Sequence, residues 1–307
     1  LAERRDVSGV LLLDKPTGLS SNAALQRVKR LFGARKAGHA GTLDPMATGL
    51  LPICFGETTK FSGLLLAADK TYDAWIRLGE TTDTGDAEGK VTRRRLVRVS
   101  DEAVEHCLQR FIGEISQTPP MLSAIKYRGK PLYFYARAGV EIEREARRVT
   151  IYALKLIELR DDHLAITVTC SKGTYVRVLA EDIGEALCCG GHLRALRRAQ
   201  LGEMNIAAAV SLERLDTMTG AERDVQLRAV DSFLMHFPSF NLSRENACRL
   251  LQGQAIAISN PCLPGLTRIY DDQSRFLGIG ECDAEGRIRG KRLITMPVNF
   301  SPALGVA

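Results

Sequence analysis

A carboxylate in a glycine-rich loop is the most unusual chemical feature of this sequence. The segment Gly38-His39-Ala40-Gly41-Thr42-Leu43-Asp44-Pro45-Met46-Ala47-Thr48-Gly49 holds three glycines, one proline, one histidine and one acid. Glycines let a backbone approach a ligand closely, and Pro45 disfavours helix at Asp44. On its own an Asp before Pro reads first as a turn former and only second as a group for catalysis. What is missing narrows the chemistry. The chain has no Gly-x-x-x-x-Gly-Lys-[Ser/Thr] phosphate loop, no Gly-x-Gly-x-x-Gly fingerprint and no Gly-x-Ser-x-Gly elbow. Its eight cysteines form no Cys-x-x-Cys pair, and none of the five histidines lies at metal-ligand spacing from them, which argues against a zinc ribbon. The cysteines read as small buried hydrophobes in a reducing cytosol. A reaction without metal or cofactor is what remains for an enzyme.

A second feature suits a polyanionic partner. Residues 117–148 carry seven basic residues (Lys126, Arg128, Lys130, Arg137, Arg144, Arg147, Arg148) against three acids (Glu141, Glu143, Glu145), a net +4, interleaved with Tyr127, Tyr133, Phe134 and Tyr135. Cations beside aromatics can hold phosphates and stack bases together. The same composition also suits a solvated hairpin whose rings pack inward. Over the whole chain, 42 Lys and Arg face 36 acids, an excess too small to name a partner.

These groups need a scaffold. Residues 9–14 read as a buried strand ended by the turn Lys15-Pro16-Thr17-Gly18. Ser20 or Ser21 caps a helix with apolar Ala24, Leu25, Val28, Leu31 and Phe32, stopping at Gly33. Residues 36–49 fit no period and read as loop, followed by a strand over 51–55 and a helix over 58–67. Residues 70–79 alternate, with Tyr72, Ala74, Ile76 and Leu78 on one face, and 80–90 read as a polar loop. Val104, Cys107, Leu108 and Phe111 predict a helix over 100–111. Strands over 149–159 and 164–170, a helix over 175–187 and a basic strand with Arg194, Arg197 and Arg198 complete this part. Near Phe237-Pro238 the pattern changes. A helix over 243–252 precedes short strands with turns at Asp271-Asp272 and Glu285-Gly286, resembling a small β-barrel. The reading is therefore α+β, with one domain over 1–238 and a second over 239–307.

At 307 residues the chain has room for about two domains of roughly 150 residues. With 45% hydrophobic and 25% charged residues it is neither disordered nor collagen-like. No apolar run approaches the ~18 residues of a membrane helix. No signal peptide is visible, and the missing initiator Met suggests a trimmed start. A cytoplasmic protein is expected.

Five separated motifs then resemble those of the bacterial TruB-type tRNA pseudouridine synthases. They are Asp14-Lys15-Pro16-Thr17-Gly18-Leu19-Ser20-Ser21, the Asp44 loop, Asp69-Lys70-Thr71-Tyr72, Thr82-Asp83-Thr84-Gly85-Asp86-Ala87-Glu88-Gly89 and Ser171-Lys172-Gly173-Thr174-Tyr175-Val176-Arg177. The resemblance implies a pseudouridine synthase fold, a mixed and largely antiparallel sheet flanked by helices, with a PUA-like RNA-binding tail. It implies that uridine 55 in the tRNA TΨC loop is isomerised: N1–C1′ breaks, the uracil turns, and C5 bonds to C1′. The uridine must first be flipped out of folded RNA. No cofactor, metal or protein partner is implied, and a monomer is expected.

By this resemblance Asp44 is the essential nucleophile or base, Tyr72 stacks on the flipped base and helps remove the C5 proton, and Arg177 keeps Asp44 ionised. Tyr175 and Leu196 wall the uracil pocket, and His39 fills the gap the nucleotide leaves. Lys15 contacts RNA or the Asp44 loop, while Asp86 organises Arg177 or nearby backbone. Residues 117–148 match a thumb that closes over the T-arm and orders on RNA, bringing Lys126, Arg128, Lys130 and Arg137 to phosphate alongside Arg197 and Arg198. Three other readings stay open: a synthase acting on another RNA uridine, an RNA-binding module or tRNA-folding chaperone, and a glycosylase that releases free uracil.

Overall fold

The alternating and apolar segments become the strands of one ten-stranded sheet. The computed structural model describes residues 4–258 and 264–295. The strands are β1 (Gly9–Lys15), β2 (Ala37–His39), β3 (Thr48–Phe55), β4 (Lys70–Leu78), β5 (Gly113–Gln117), β6 (Arg147–Arg160), β7 (His163–Cys170), β8 (Gly191–Leu201), β9 (Met204–Asn205) and β10 (Val210–Ser211). Their order is β10-β1-β3-β8-β4-β7-β6-β5, with β2 beside β3 and β9 beside β8. Only β1·β10 and β3·β8 are parallel, so the sheet is mixed and largely antiparallel.

Burial follows from the residue pattern. On β1, Leu11 and Leu13 face one core while Val10 and Leu12 face another; on β3, Leu51 and Ile53 oppose Leu50 and Cys54 in the same way. A strand covered on both faces needs a continuous apolar run, which both have. β4 alternates instead, burying Tyr72, Ala74, Ile76 and Leu78 and leaving Trp75 exposed. Helices α1 (Ser21–Leu31), α3 (Asp101–Gln109) and α5 (Val176–Ala186) lie over the larger core, and the short α2 (Ser62–Ala67) lies at the second. Ser20 caps α1 by accepting from Ala23 N at 3.1 Å, and Ser100 caps α3 in the same manner.

The tail forms a five-stranded, curled half-barrel sheet: β11 (Ser239–Asn241), β12 (Ile256–Ala257), β13 (Gly265–Tyr270), β14 (Phe276–Cys282) and β15 (Arg287–Leu293), in the order β11-β13-β14-β15-β12. It docks on the second core through Ile279 and through Phe276, whose ring centroid is 5.5 Å from that of Phe61.

Several expectations change. Residues 36–49 are not all loop: β2 pairs Ala37 with Phe55, and β3 begins at Thr48. The expected helix over 58–67 starts with a tighter 3-10 turn, Gly56–Phe61, before α2. The loop over 80–90 is the tip of a hairpin, Glu80–Thr82 with Val91–Arg94. The basic insertion contains a hairpin, Lys126–Tyr127 with Lys130–Pro131, and α4 (Leu132–Arg137). Arg128 and Gly129 adopt positive φ at its turn (47° and 82°), which matches the twist of a two-residue hairpin. Cys54, Cys107, Cys170 and Cys189 are buried thiols, but Cys188 is exposed and Cys282 is disulfide-bonded, so the uniform reading of the cysteines fails there. Cys262 and residues 296–307 of the expected second domain lie outside the described residues. Among the described residues, no helix is long and apolar enough to cross a membrane.

Candidate active site

The loop carrying Asp44 is clamped at its base by groups from β1 and α1. Ser21 Oγ donates to Leu43 O at 2.9 Å and accepts from Leu43 N at 2.8 Å, fixing the peptide just before Asp44. Gly18 N donates to Pro45 O at 2.8 Å, just after it. Lys15 is fully buried, and its Nζ donates to Pro16 O (2.8 Å), Leu19 O (2.6 Å) and Pro45 O (3.4 Å). Burial pushes the Lys15 pKa down to about 8, with the Asp44 and Glu88 carboxylates opposing and Arg198 adding to the fall. Of the two contacts expected of Lys15, the structure shows the one to the loop: its ammonium is enclosed and donates to carbonyls of the Asp44 loop and its neighbour turn.

Beside this loop, β3, β8 and β4 set Gly49, Arg198 and Tyr72 next to one another in register. Gly49 has φ of 101°, and a Cβ there would lie 2.4 Å from Arg198 O, so only glycine fits. Tyr72 and Arg198 are directly opposed across an antiparallel pair, which places both side chains on the same face. Arg198 is 1% exposed; its Nε donates to Leu50 O at 2.7 Å and its Nη2 to Gly41 O at 3.2 Å. In this structure the Arg198 guanidinium is therefore enclosed and engaged by backbone carbonyls rather than presented at the surface. Burial raises the Tyr72 phenol above its usual range, and the Arg198 charge opposes that shift.

Arg177, in the first turn of α5, is the junction of the site. Its Nε lies 3.1 Å from Asp44 Oδ2 and its Nη1 lies 3.4 Å from Asp86 Oδ2; Nη1 also donates to Thr84 O (3.3 Å) and Nη2 to Leu122 O (2.7 Å). Asp86 is buried and further held by Thr84 Oγ1 (2.6 Å) and Glu88 N (3.1 Å). In this structure its carboxylate is thus engaged by Arg177 and its own turn. Asp44 itself is partly open, with 38% of its side-chain surface exposed. Burial nevertheless raises its pKa, opposed by Arg177 and Lys15 and reinforced by Asp86. The net direction is opposite to that expected from an Arg177 pairing alone.

The remaining expected residues divide by exposure. His39 ends β2; its Nδ1 is buried without a hydrogen-bond partner, and burial lowers its pKa, with Arg198 adding to the fall. Leu196 pairs with Ala74 on β4 and packs partly buried at the edge of the larger core. Tyr175 is half-buried at the N-terminus of α5. Arg197 alternates to the other side of β8 from Arg198, where its guanidinium grips Asp14 through Nη1–Oδ1 (3.1 Å) and Nη2–Oδ2 (2.7 Å). Lys126, Arg128, Lys130 and Arg137 are all exposed. Arg128 lies 5.3 Å from the Tyr127 ring, Lys130 4.6 Å from Phe134 and Arg137 5.5 Å from Tyr133, so these rings face outward with the cations. The inward-packed alternative does not hold for Tyr127, Tyr133 and Phe134, which are 37%, 41% and 50% exposed.

Sequence reasoning missed Ser21 as the loop clamp and Gln117, whose carboxamide binds the Tyr175 backbone. A second hydroxyl after a helix cap was the one available signal for Ser21. Among the described residues, no group of three or more His, Cys, Asp or Glu is placed to hold a metal.

Three family models cover most of this architecture. The model described as TruB family pseudouridylate synthase (N terminal domain) matches residues 29–176, that described as tRNA pseudouridylate synthase B C-terminal domain matches 177–235, and that described as Pseudouridine synthase II TruB, C-terminal matches 238–294. Similar proteins named tRNA pseudouridine synthase B include one from Azoarcus sp. (strain BH72), 55% identical over 95% of this chain and 96% of its own, and one from Cupriavidus metallidurans, 53% identical over 95% and 96%. Among solved structures, the chain resembles one in a Cbf5-Nop10-Gar1 complex, with a TM-score of 0.72 at 23% identity over 96% of this chain and 87% of that one. That likeness concerns the fold. The chain belongs to the TruB family of pseudouridine synthases. It is an isomerase that forms pseudouridine in tRNA.

Proposed function

We propose that the enzyme isomerises uridine 55 in the tRNA TΨC loop, with Asp44 as the group that acts at the ribose. The observation that carries this reading is Arg177 Nε 3.1 Å from a carboxylate of Asp44 that is itself 38% exposed, with the buried Tyr72 close enough for the Asp44 charge to act on its phenol. A flipped uridine presents C1′ to Asp44 as nucleophile, or its C2′ hydrogen to Asp44 as base. Either route breaks N1–C1′ and leaves the uracil free to turn. C5 then bonds to C1′, displacing the Asp44 carboxylate on the first route or with the proton returned from Asp44 to C2′ on the second, and loss of the C5 proton restores the ring. Tyr72 forms the stacking wall, and its phenol is placed to take part in that last proton transfer. Tyr175 and Leu196 border the base, and His39, whose Nδ1 awaits a partner, supports the opened loop.

The exposed cation–ring pairs of the insertion suit the backbone and bases of the T-arm, with Arg197 a further candidate for phosphate. Residues 239–307 act as a second, PUA-like RNA-binding domain. The working unit is a monomer that needs no protein partner, and its tRNA substrate places it in the cytoplasm. The test is to incubate the purified protein with an unmodified T-arm hairpin and map the product. Pseudouridine at the loop uridine supports the reading; free uracil, or modification elsewhere only, overturns it.

A further inference from the structure

Gln117 marks the point where the basic insertion leaves the sheet. It ends β5 and pairs in register with Arg147, the first residue of β6, so both ends of residues 117–148 meet at this pair. Although it opens a polar segment, Gln117 is only 2% exposed. Its carboxamide makes two hydrogen bonds to one residue: Nε2 donates to Tyr175 O at 3.3 Å, and Oε1 accepts from Tyr175 N at 3.0 Å. Tyr175 caps the N-terminus of α5 without a capping bond from its own side chain, and its carbonyl accepts the helical bond from Leu179 N at 3.1 Å. Gln117 thus supplies from outside the fixation that this helix start lacks, two residues before Arg177. A second link comes from the same stem, where Leu122 O accepts from Arg177 Nη2 at 2.7 Å. Gln117 thus holds the helix start that carries Arg177, and Leu122 holds the tip of its guanidinium.

We propose that Gln117 is a positioning residue for pseudouridine formation: it ties the base of the basic insertion to the start of α5 and so keeps Arg177 set against Asp44. The inference rests on the roles proposed above for Asp44 and Arg177. Gln117 acts through the Tyr175 peptide and touches no reacting atom. A neutral amide is the side chain for this task, since bracketing a peptide needs one donor and one acceptor together. Leucine leaves a buried N–H unpaired, and glutamate sets an anion against Tyr175 O.

The test compares Gln117→Leu and Gln117→Glu with the wild-type chain on T-arm RNA, reading single-turnover rate, RNA Kd and the pH–rate profile. Gln117→Leu is expected to slow the single-turnover rate by about tenfold to a hundredfold, the scale of a slightly misplaced catalytic group. Its Kd should stay within about twofold, which separates positioning from binding. The acidic limb of its profile should move to higher pH, because a loosened Arg177 opposes the burial of Asp44 less. Should Gln117→Leu fail to fold, Gln117→Glu carries the same readouts. A weaker Kd that accounts for the whole loss, or a lower melting point with an unmoved acidic limb, overturns the inference. Asp44→Asn run alongside separates the two readings. If it retains turnover, the proposed site falls; if it is inactive while Gln117→Leu behaves as wild type, only the positioning role falls.

Discussion

Arg177 Nε stands 3.1 Å from Asp44 Oδ2, yet the carboxyl titrates above its usual range because desolvation outweighs the neighbouring cation. Asp86 contributes to the same direction, since it shares the guanidinium and adds a second negative charge. The site therefore holds an acid that is oriented by its partner and less strongly ionised than an exposed Asp.

That balance has a thermodynamic sign. Between the ordinary Asp value of 3.8 and the raised value, the native state binds more protons than the unfolded chain, so stability falls as pH rises through that window. Asp44→Asn is expected to abolish pseudouridine formation while tRNA affinity stays within about a few-fold of wild type. At neutral pH its melting temperature should equal or exceed that of the wild type, with the difference vanishing at low pH. Normal turnover by this variant would discard the role given to Asp44.

Lys15 titrates the other way. From about pH 8 up to the ordinary lysine value of 10.5, the unfolded chain keeps a proton the native Lys15 has lost, so stability from this group rises with pH across that range. Lys15→Met leaves its carbonyl acceptors in the Asp44 loop and adjoining turn without this donor and should cost about 2–4 kcal/mol. Denaturant melts at neutral and alkaline pH read both effects; a variant as stable as wild type, with the alkaline slope intact, contradicts the assignment.

Tyr72→Phe keeps the stacking ring and removes the phenol. RNA affinity should hold, while turnover falls by about a hundredfold or more, the usual scale of a lost proton-transfer group. Deuterium at C5 of the target uridine provides the check: the isotope effect should be larger in the variant. No change in rate or isotope effect would leave Tyr72 as a stacking surface alone.

Gly49→Ala puts a methyl 2.4 Å from Arg198 O at a φ of 101°. The strand pairing that carries Arg198 past Tyr72 must then shift, at a cost of about 1–3 kcal/mol or more. Thermal melting reads the loss, and a wild-type melting temperature would rule out the close approach.

For the insertion, replacing Lys126, Arg128, Lys130 and Arg137 with alanine should flatten the salt dependence of RNA binding. Each lost phosphate contact lowers the slope of log K against log salt by about 0.7 for single-stranded character. Binding measured over a salt series gives the count; an unchanged slope removes these four from the interface.

Patterns that repeat were legible. The continuous apolar run of β1, the alternation of β4 and the Ser20 cap of α1 each report a local rule, and each element formed where that rule placed it. Arg198 was not legible, because a charge pattern cannot reveal that Leu50 O and Gly41 O wait inside the fold as acceptors. Arg197, one residue earlier, alternates to a half-open position, so adjacent identical side chains have unlike fates. β2 was hidden for a related reason: three residues pair with β3 without any hydrophobic period of their own. The rise in the Asp44 pKa depends on enclosure and on Asp86, both long-range features that no spacing encodes.

Ser20 and Ser21 differ by one position and hold unequal offices. The first merely starts a helix, whereas the second grips Leu43 from both sides. Under the role proposed for Asp44, a carboxylate one residue beyond such a grip would meet each ribose already aimed, with little left to search except its own side-chain rotation. On that reading, a hydroxyl with no share in the chemistry decides where in space the bond exchange takes place.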